Sequence, residues 1–273
     1  MFQEMLENVR KRHPLIHNIT NYVTVNDCAN ILLACGGSPI MSDDTGEVEE
    51  ITSACGGLTI NTGTLNQRTI PAMLAAGKKA NELGHPVVLD PVGAGASALR
   101  TNTAFDLLSK VGFAVIRGNI SEVKTLARYG GATQGVDAGA ADCVTKENLE
   151  QSVAFIKAFA AQTGSVVAVT GAIDIAADSK SAYVIFNGHP MMSSITGTGC
   201  MLSAMTAAYV TANPEKVLEA AAAAVCAMGV CGEIAYERLG PMDGSASYRN
   251  YILDAVYRLD GKTLERRAKY NIL

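Results

Sequence analysis

The chain has 273 residues and a formal net charge of −4, with 48% hydrophobic and 18% charged residues. This length suits one large α/β unit with a substantial core, and this composition excludes an intrinsically disordered chain. No segment combines clustered basic side chains with aromatic ones, so nucleic acid is not expected as a partner.

The N-terminal segment MFQEMLENVRKRHP is charged and lacks the apolar centre of a secretion signal. The longest apolar stretch, AAAAAVCAMGVCG, is mostly alanine and is shorter than the roughly 20 residues that a membrane span needs. We therefore expect a cytoplasmic protein that does not bind membranes. Its seven cysteines form no CxxC pair, and its four histidines lack zinc-site spacing. This pattern favours reduced thiols over disulfides or a zinc site.

Short apolar runs that end in Gly, Pro, Asn or Asp alternate with helical patterns along most of the chain. The runs predict buried strands at 36–41, 58–63, 86–93, 113–119 and 165–171. Helices are predicted over 26–35, 46–55, 69–83, 101–110, 121–129 and 146–163. Such alternation is typical of parallel βαβ units. We predict a three-layer α/β/α sandwich with a mostly parallel central sheet.

The pattern changes after residue 171. The segment IDIAADSKSAYVIFNG predicts an antiparallel hairpin around a polar turn. A helix is predicted over 199–211, and an alanine-rich one begins near NPEK, with Asn213 as N-cap and Pro214 in its first turn. The alanines predict close packing against a neighbouring element, and a last helix is expected over 245–259. No linker, repeat or change of composition appears, so we predict a single domain over 1–273.

Ligands of open parallel sheets bind beyond the carboxyl ends of the strands. The residues that follow the predicted strands are therefore the first candidates for a site: Met41, Gly63, Asp90, Arg117, Gly118, Asn119, Thr170 and Gly171. Among them, Asp90 is a carboxylate at a buried strand end and needs a partner. Neither the GxxxxGK[ST] motif nor the GxGxxG motif is present, which argues against a P-loop NTPase and a simple dinucleotide enzyme.

Two motifs allow both a functional and a structural interpretation. In GTGC (197–200), glycines would let an anion reach the N–H groups at a helix start, or would only ease the chain into that helix. In RGNISE (117–122), Arg117 suits phosphate oxygens, and Glu122 with Asp90 suits Mg²⁺ held through water. The same motif also fits a surface ion pair and a favourable acid after an N-cap at Ser121.

The segment 14–41 is dense in Asn and Thr, which suits a small polar ligand but equally suits capping and turns. Within it, His17 is expected to be packed or hydrogen-bonded locally, and farther along the chain His189 is expected in a loop. Four cysteines on predicted helices are interpreted as small core residues: Cys28, Cys35, Cys226 and Cys231.

Seven segments resemble one known family and occur in its order: PLIHNITNYV, GGSPIM, INTGT, VVLDPVGAGAS, VIRGNISE, VVAVTG and TGTGCMLSA. Together they are similar to the hydroxyethylthiazole kinases of thiamine biosynthesis and salvage, from about residue 5 to residue 270. The resemblance implies a ribokinase-like fold and ATP- and Mg²⁺-dependent phosphorylation of the primary hydroxyl of 4-methyl-5-(2-hydroxyethyl)thiazole. It also implies a homotrimer with the thiazole sites at subunit interfaces.

The resemblance further implies roles for individual residues. Arg117 and Thr170 would contact ATP, while Asp90 and Glu122 would organise Mg²⁺. The thiazole would be surrounded by Asn21, Met41, Gly63 and Gly197. The segment 131–145 is loop-like and is a candidate to lie near the nucleotide.

The resemblance makes Gly197, Thr198, Gly199 and Cys200 the anion hole, with Cys200 where the wider superfamily usually has an Asp base. A helix N-terminus lowers the pKa of a thiol, whereas a bound triphosphate raises it. We expect Cys200 to stay largely protonated with ATP bound, to position the substrate hydroxyl and to accept its proton late. Phosphoryl transfer has a loose transition state, so this contribution is expected to be modest.

Three other interpretations of the sequence remain open. A ribokinase-like kinase of another vitamin precursor, such as hydroxymethylpyrimidine, is opposed by the pair HNITNYV and GTGC. A thiol redox or acyl-transfer enzyme built on Cys200 would need a base or a resolving thiol, and none is near it in sequence. A non-catalytic binding protein would have no use for Asp90, Arg117 and Glu122 together.

Overall fold

A computed structural model describes residues 1–128 and 143–273. Its strands are β1 (Leu15–Ile19), β2 (Ser38–Met41), β3 (Gly57–Asn61), β4 (Val87–Asp90), β5 (Val115–Gly118), β6 (Val166–Val169), β7 (Asp174–Ala177), β8 (Ala182–Ile185) and β9 (Tyr270–Ile272). Its helices are α1 (Phe2–Arg12), α2 (Val25–Cys35), α3 (Val48–Ala54), α4 (Thr69–Glu82), α5 (Ala98–Lys110), α6 (Ile120–Ala127), α7 (Leu149–Thr163), α8 (Thr198–Ala212), α9 (Val217–Glu237), α10 (Ser245–Arg258) and α11 (Gly261–Arg267), with a 3₁₀ turn at Pro190–Ser194.

The strands of the described part form one sheet in the order β2-β1-β3-β4-β5-β6-β7-β8-β9. Pairing is parallel from β2 through β6 and antiparallel from β6 to β9. The predicted, mostly parallel sheet is confirmed. Because parallel strands share one direction, the carboxyl ends of β1 to β6 meet along a single edge.

Two hydrophobic clusters cover the two faces of this sheet. One cluster lies between one face and the helices α1, α2, α8, α9, α10 and α11. The other lies between the opposite face and the helices α3–α7. Alternate residues of a strand enter different clusters: in β4, for example, Val87 and Leu89 belong to the α3–α7 cluster and Val88 belongs to the other one. The predicted three-layer arrangement is therefore confirmed.

Four elements were not anticipated from the sequence: α1, β1, α11 and β9. β1 carries the buried polar residues His17 and Asn18, so it lacks the continuous apolar pattern of its neighbours. β9 is short and lies at the sheet edge, beyond β8. The rings of Phe2, Tyr183 and Tyr270 lie 4.7 to 5.7 Å apart and attach α1 and β9 to the sheet.

Two predicted helix starts are wrong. Asn213 closes α8 instead of opening the next helix, since its amide donates to the carbonyls of Tyr209 and Met5 at 2.8 and 3.2 Å. Pro214 therefore lies in the connection, and α9 begins at Val217. The N-cap of α6 is Asn119 and not Ser121. Asn213 is held at the end of α8 by a contact with α1, whereas Asn119 and Glu122 form a local capping box.

Residues 131–142 of the loop-like segment 131–145 lie outside the described part of the chain. The predicted place of this segment near the nucleotide therefore stays a prediction.

Within the described residues, α9 is long and apolar enough in composition to cross a membrane. Its most apolar window is 78% buried inside the fold, which is typical of a core helix. The predicted close packing of its alanine-rich sequence is confirmed, since Ala220 to Ala224 are fully buried.

Substitution of Gly229 tests this close packing. A Cβ at Gly229 would lie 2.8 Å from backbone atoms of Asn187, which cannot move aside easily. Gly229→Ala is therefore expected to lower the free energy of unfolding by about 1 kcal/mol, despite the better helix propensity of alanine. Urea unfolding followed by circular dichroism measures the change.

Gly232→Ala is the matched control in the same helix. Its Cβ would meet the side chain of Met192, which is flexible and partly exposed. A smaller loss of stability than that of Gly229→Ala is expected. Equal losses would show that backbone contact with Asn187 is not the cause.

Candidate active site

Side chains from several elements meet at the carboxyl edge of the sheet. Asn61 ends β3, Asp90 ends β4, and their Cα atoms are register partners. Arg117 lies on the next strand, β5, and Cys200 lies in the first turn of α8. The fold thus brings together residues that are far apart in the chain: Asn61 and Cys200 are separated by 139 positions.

Asp90 is the most buried charged group of this cluster, with no exposed surface. Its Oδ2 accepts hydrogen bonds from Asn61 Nδ2 at 2.7 Å and from Ser203 Oγ at 2.8 Å. Its Oδ1 lies 3.6 Å from Arg117 Nη1 and has no hydrogen-bond partner within the described residues. Burial raises the pKa of Asp90, while the Arg117 charge opposes this effect.

Arg117 joins the sheet edge to the start of α8. Its Nη2 donates to the Thr170 hydroxyl, at the end of β6. A Cβ on Gly199 would lie only 2.5 Å from Arg117 Nη1, so the guanidinium packs directly against the Gly199 backbone. The side chain is 12% exposed, which leaves part of the cation open to solvent. Arg117, Thr170 and Gly199, predicted separately, therefore form one contiguous group.

Glu122 has a clear local role. Its Oε2 accepts from the Asn119 N–H at 2.8 Å and completes the capping box of α6. Its Oε1 accepts from the Gly93 N–H at 2.8 Å and so attaches the loop after β4 to α6. The negative charge of Glu122 also raises the pKa of Asp90.

The sulfur of Cys200 lies between two amides. Asn21 Nδ2 donates to it at 3.2 Å and Asn61 Nδ2 at 3.3 Å. Burial and the Asp90 charge raise the pKa of the thiol, whereas hydrogen bonds from Thr24, Asn21 and Asn61 lower it. The net shift is upward. Burial is the largest cause of this upward shift in the pKa of Cys200, and its protonation with ATP bound stays a prediction.

The remaining candidate residues lie at the start of α8 or follow a strand of the sheet. Gly197 opens α8 with φ 92°, a left-handed conformation that favours glycine, and its Cβ would lie 2.5 Å from Thr24. Gly63 is buried, and its Cβ would lie 2.9 Å from Asn21 and Asn61 atoms. Thr198 is the first residue of α8.

Met41 ends the edge strand β2, two strands away from β3 and three from the strand that carries Asp90. Asn21 follows β1, is almost fully buried and makes internal hydrogen bonds. Of the predicted thiazole-contacting residues, three contact Asn21, Thr24, Asn61 or Cys200: Asn21, Gly63 and Gly197. Met41 ends the edge strand of the sheet instead.

Sequence reasoning missed three members of the cluster: Thr24, Asn61 and Ser203. Asn61 lies inside the predicted strand 58–63 and ends the observed strand β3, so the misplaced strand end hid its position. Ser203 and Thr24 carry no comparable signal, since serine and threonine in or beside helices are common. Ser203 reaches Asp90 because it lies one helical turn after Gly199.

The other singled-out residues have local partners. His17 lies between Thr52 Oγ1 at 2.9 Å and the Ser42 carbonyl at 3.0 Å, so its expected local hydrogen bonding is confirmed. His189 precedes the 3₁₀ turn, and its ring stacks on Tyr236. The cysteines interpreted as core residues are all buried: Cys28, Cys35, Cys226 and Cys231.

Comparison with known proteins identifies close relatives. The model of the hydroxyethylthiazole kinase family matches residues 6–262. A hydroxyethylthiazole kinase of Clostridium acetobutylicum is 64% identical over 270 residues, which cover 99% of each chain. The solved structure of a hydroxyethylthiazole kinase from Pyrococcus horikoshii OT3 superimposes with a TM-score of 0.88 at 35% identity, covering 100% of this chain and 98% of that one.

More distant structures share the fold alone. The pyridoxal kinase from Staphylococcus aureus in complex with pyridoxal has a TM-score of 0.60 at 16% identity, covering 95% of this chain and 97% of that one. These similarities confirm the predicted ribokinase-like fold.

The thiol environment generates a prediction about reactivity. Because the pKa of Cys200 is raised, little reactive thiolate is present at neutral pH. Alkylation of Cys200 by iodoacetamide is therefore expected to be slow at about pH 7 and to accelerate about tenfold per pH unit up to about pH 9. Peptide mass spectrometry of samples taken over time measures the rate.

Cys143→Ser removes the exposed cysteine and leaves Cys200 as the partly accessible one. The same pH dependence is expected in this variant. A rate that already levels off below about pH 8 would mean that the thiol ionises in or below its ordinary range, and that burial does not control its pKa.

Proposed function

Because the chain belongs to the hydroxyethylthiazole kinase family, we propose that its Asp90–Arg117–Cys200 cluster is the site of phosphoryl transfer. The reaction transfers the γ-phosphoryl group of ATP to the primary hydroxyl of 4-methyl-5-(2-hydroxyethyl)thiazole, in thiamine biosynthesis or salvage. A bond forms between the substrate oxygen and the γ-phosphorus, and the bond to the departing ADP oxygen breaks. The activity is thus that of a phosphotransferase with an alcohol acceptor.

The observation that carries this assignment is the packing of the Arg117 guanidinium against Gly199, in the first turn of α8. The first N–H groups of a helix lack intrahelical partners and carry a partial positive charge. A guanidinium beside them adds a full charge and several donors. A transferring phosphoryl group spreads negative charge over its oxygens, so the two features together suit it.

Arg117 and Thr170 are proposed to contact ATP. They already hydrogen-bond to each other, which holds the guanidinium at the end of β6 and limits its freedom before the nucleotide arrives. Gly197, Thr198, Gly199 and Cys200 supply the helix start that receives the anion. Since Gly199 has no side chain, the phosphoryl oxygens and the guanidinium can share this space.

Asp90 and Glu122 are proposed to hold Mg²⁺ through water. Both are hard oxygen donors, and the buried Asp90 Oδ1 has no hydrogen-bond partner within residues 1–128 and 143–273. The oxygens of Glu122 each accept one backbone N–H and keep a second lone pair. The residues present therefore fit the ion, which when bound would neutralise charge on the phosphates.

Cys200 is proposed to position the substrate hydroxyl and, in the fraction of molecules where it is a thiolate, to accept the hydroxyl proton late in the transfer. The raised pKa of the thiol limits how much thiolate is available as a base. The loose transition state places little charge on the attacking oxygen, so this limit has little effect on the rate. Orientation of the hydroxyl is accordingly the main contribution of the side chain.

Asn21, Met41, Gly63 and Gly197 are proposed to surround the thiazole. A Cβ on Gly63 would meet Asn21 and Asn61, and a Cβ on Gly197 would meet Thr24, so both glycines pack directly against the side chains of this region. A flexible thioether such as that of Met41 adapts well to a sulfur-containing aromatic ring.

We also propose a cytoplasmic homotrimer with sites at its interfaces. Large apolar side chains are exposed directly beside Asn21, with Tyr22 at 77% and Val23 at 56% exposure. Leu99 is 54% exposed and lines a cleft together with Tyr22. Partner subunits would cover such a surface.

We further propose a single domain over 1–273. One sheet contains strands from both ends of the chain, which supports this proposal.

Incubation of the protein with Mg-ATP and hydroxyethylthiazole tests the proposed function. Formation of the thiazole phosphate, detected by mass spectrometry, is expected. Arg117→Ala is the control, because loss of the guanidinium is expected to lower kcat/KM by at least about 100-fold. Turnover of hydroxymethylpyrimidine or another alcohol, without thiazole phosphate, would refute the substrate assignment and leave the fold unaffected.

A second prediction ranks the site residues. Cys200→Ser is expected to lose about 10-fold in kcat, less than Arg117→Ala or Glu122→Ala, because a hydroxyl can still orient the substrate. Steady-state rates with the thiazole measure all three variants.

Glu122→Gln removes the negative charge of Glu122 and keeps one of its two backbone N–H contacts. The amide nitrogen would face the other N–H, so some loss of stability is expected, and the loss of activity is compared with that of Glu122→Ala, which removes both contacts. If Cys200→Ser were the least active of these variants, Cys200 would be an essential base and the proposed role would be wrong.

A further inference from the structure

Asn61 uses all of its hydrogen-bonding capacity inside the cluster. Its Oδ1 accepts from Asn21 Nδ2 at 3.0 Å and from the Gly63 N–H at 2.9 Å. Its Nδ2 donates to Asp90 Oδ2 at 2.7 Å and to Cys200 Sγ at 3.3 Å. The side chain is 1% exposed, so water cannot readily replace these partners. The amide is held on four sides.

The orientation of this amide follows from the chemistry of its partners. The Gly63 N–H can only donate, so it must face Oδ1. A carboxylate only accepts, so Asp90 must face Nδ2 when it is ionised. Rotation of the amide by 180° would set oxygen against oxygen and N–H against N–H. The Cys200 sulfur, on the Nδ2 side, therefore receives an N–H from Asn61.

Asn21 is oriented by the same logic. Its Oδ1 accepts from the Thr24 N–H at 3.2 Å and from the Thr24 hydroxyl at 3.1 Å. The backbone N–H fixes which end of the amide is oxygen. Asn21 Nδ2 is thus directed to Asn61 Oδ1 and to Cys200 Sγ. Both amides present donors to the sulfur.

We propose that Asn61 is a positioning residue for phosphoryl transfer: with Asn21 it holds the Cys200 sulfur through N–H donors and so fixes where the sulfur lies relative to the substrate hydroxyl. This inference rests on the proposed function. In the proposed function, Asn61 contacts neither the substrate nor the nucleotide and acts through Cys200. Gly63 and Asp90 orient Asn61, and Asn61 in turn orients Cys200.

A competing explanation is that Asn61 matters only because it supports Asp90. Ser203 distinguishes the two, since its hydroxyl donates to the same Asp90 Oδ2 at 2.8 Å. Ser203→Ala removes one hydrogen bond from that oxygen, as Asn61→Leu does, but leaves both amide contacts to the sulfur in place. Ser203→Ala is therefore the matched control for the Asp90 contribution.

A kinetic double-mutant cycle tests the proposal. Asn61→Leu is expected to lower kcat about 10-fold when Cys200 is present, and less than about twofold further in a Cys200→Ala background. KM for ATP is expected to change less than kcat. Ser203→Ala is expected to give the same fold-loss in both backgrounds. Equal losses for Asn61→Leu in the two backgrounds would overturn the proposal.

A second cycle measures the contact without activity. Urea unfolding midpoints of wild type, Asn61→Leu, Cys200→Ala and the double variant are expected to be non-additive, with Asn61→Leu costing less when the sulfur is absent. Additive midpoints would overturn the proposed contact. If Asn61→Leu does not fold, Asn61→Ser, which is too short to reach the sulfur, takes its place in both cycles.

The two cycles separate failure of this inference from failure of the proposed function. Absence of thiazole phosphate in the wild-type assay would refute the function, while the unfolding cycle would still report on the Asn61–Cys200 contact. Coupling in stability without coupling in kcat would show that the contact is structural only, and would overturn the positioning role.

Discussion

The carboxylate of Asp90, fully buried at the carboxyl end of β4, is the constraint on which the site depends. A buried charge is costly unless it is paired and hydrogen-bonded, so its surroundings must supply a cation and donors. Arg117 supplies the cation from the next strand, while Asn61 and Ser203 supply the donors from β3 and α8. One charge thereby ties two neighbouring strands and a helix to β4.

These partners transmit the constraint to the chemistry. Because the Asn61 amide directs its nitrogen to Asp90, the Cys200 sulfur also receives an N–H from Asn61. The contact of Arg117 with Gly199 brings positive charge to the start of α8. Both effects place groups that suit an anion and an alcohol within one cluster. Contacts among the residues of the family's motifs thus set how each of these residues is oriented toward a ligand.

Sequence patterns were sufficient for most of the sheet and its helices, because continuous apolar runs and helical spacing are local properties. They failed for β1, where buried polar residues such as His17 interrupt the apolar run, and for the short edge strand β9. They also misplaced two caps. Asn213 closes α8 with the help of a contact to Met5 of α1, which no local pattern shows, whereas the capping box of Asn119 and Glu122 is a local pattern that sequence reasoning missed.

The sequence by itself determined the α/β class, the family and the strand-end candidates Asp90 and Arg117, because each follows from local pattern or from motifs in order. Only the tertiary structure decided that Asn61 and Ser203 belong to the cluster, and that burial with the Asp90 charge raises the pKa of Cys200. The reason is physical: a hydrogen bond between β3 and α8, and the desolvation of a thiol, depend on distances between residues far apart in the chain.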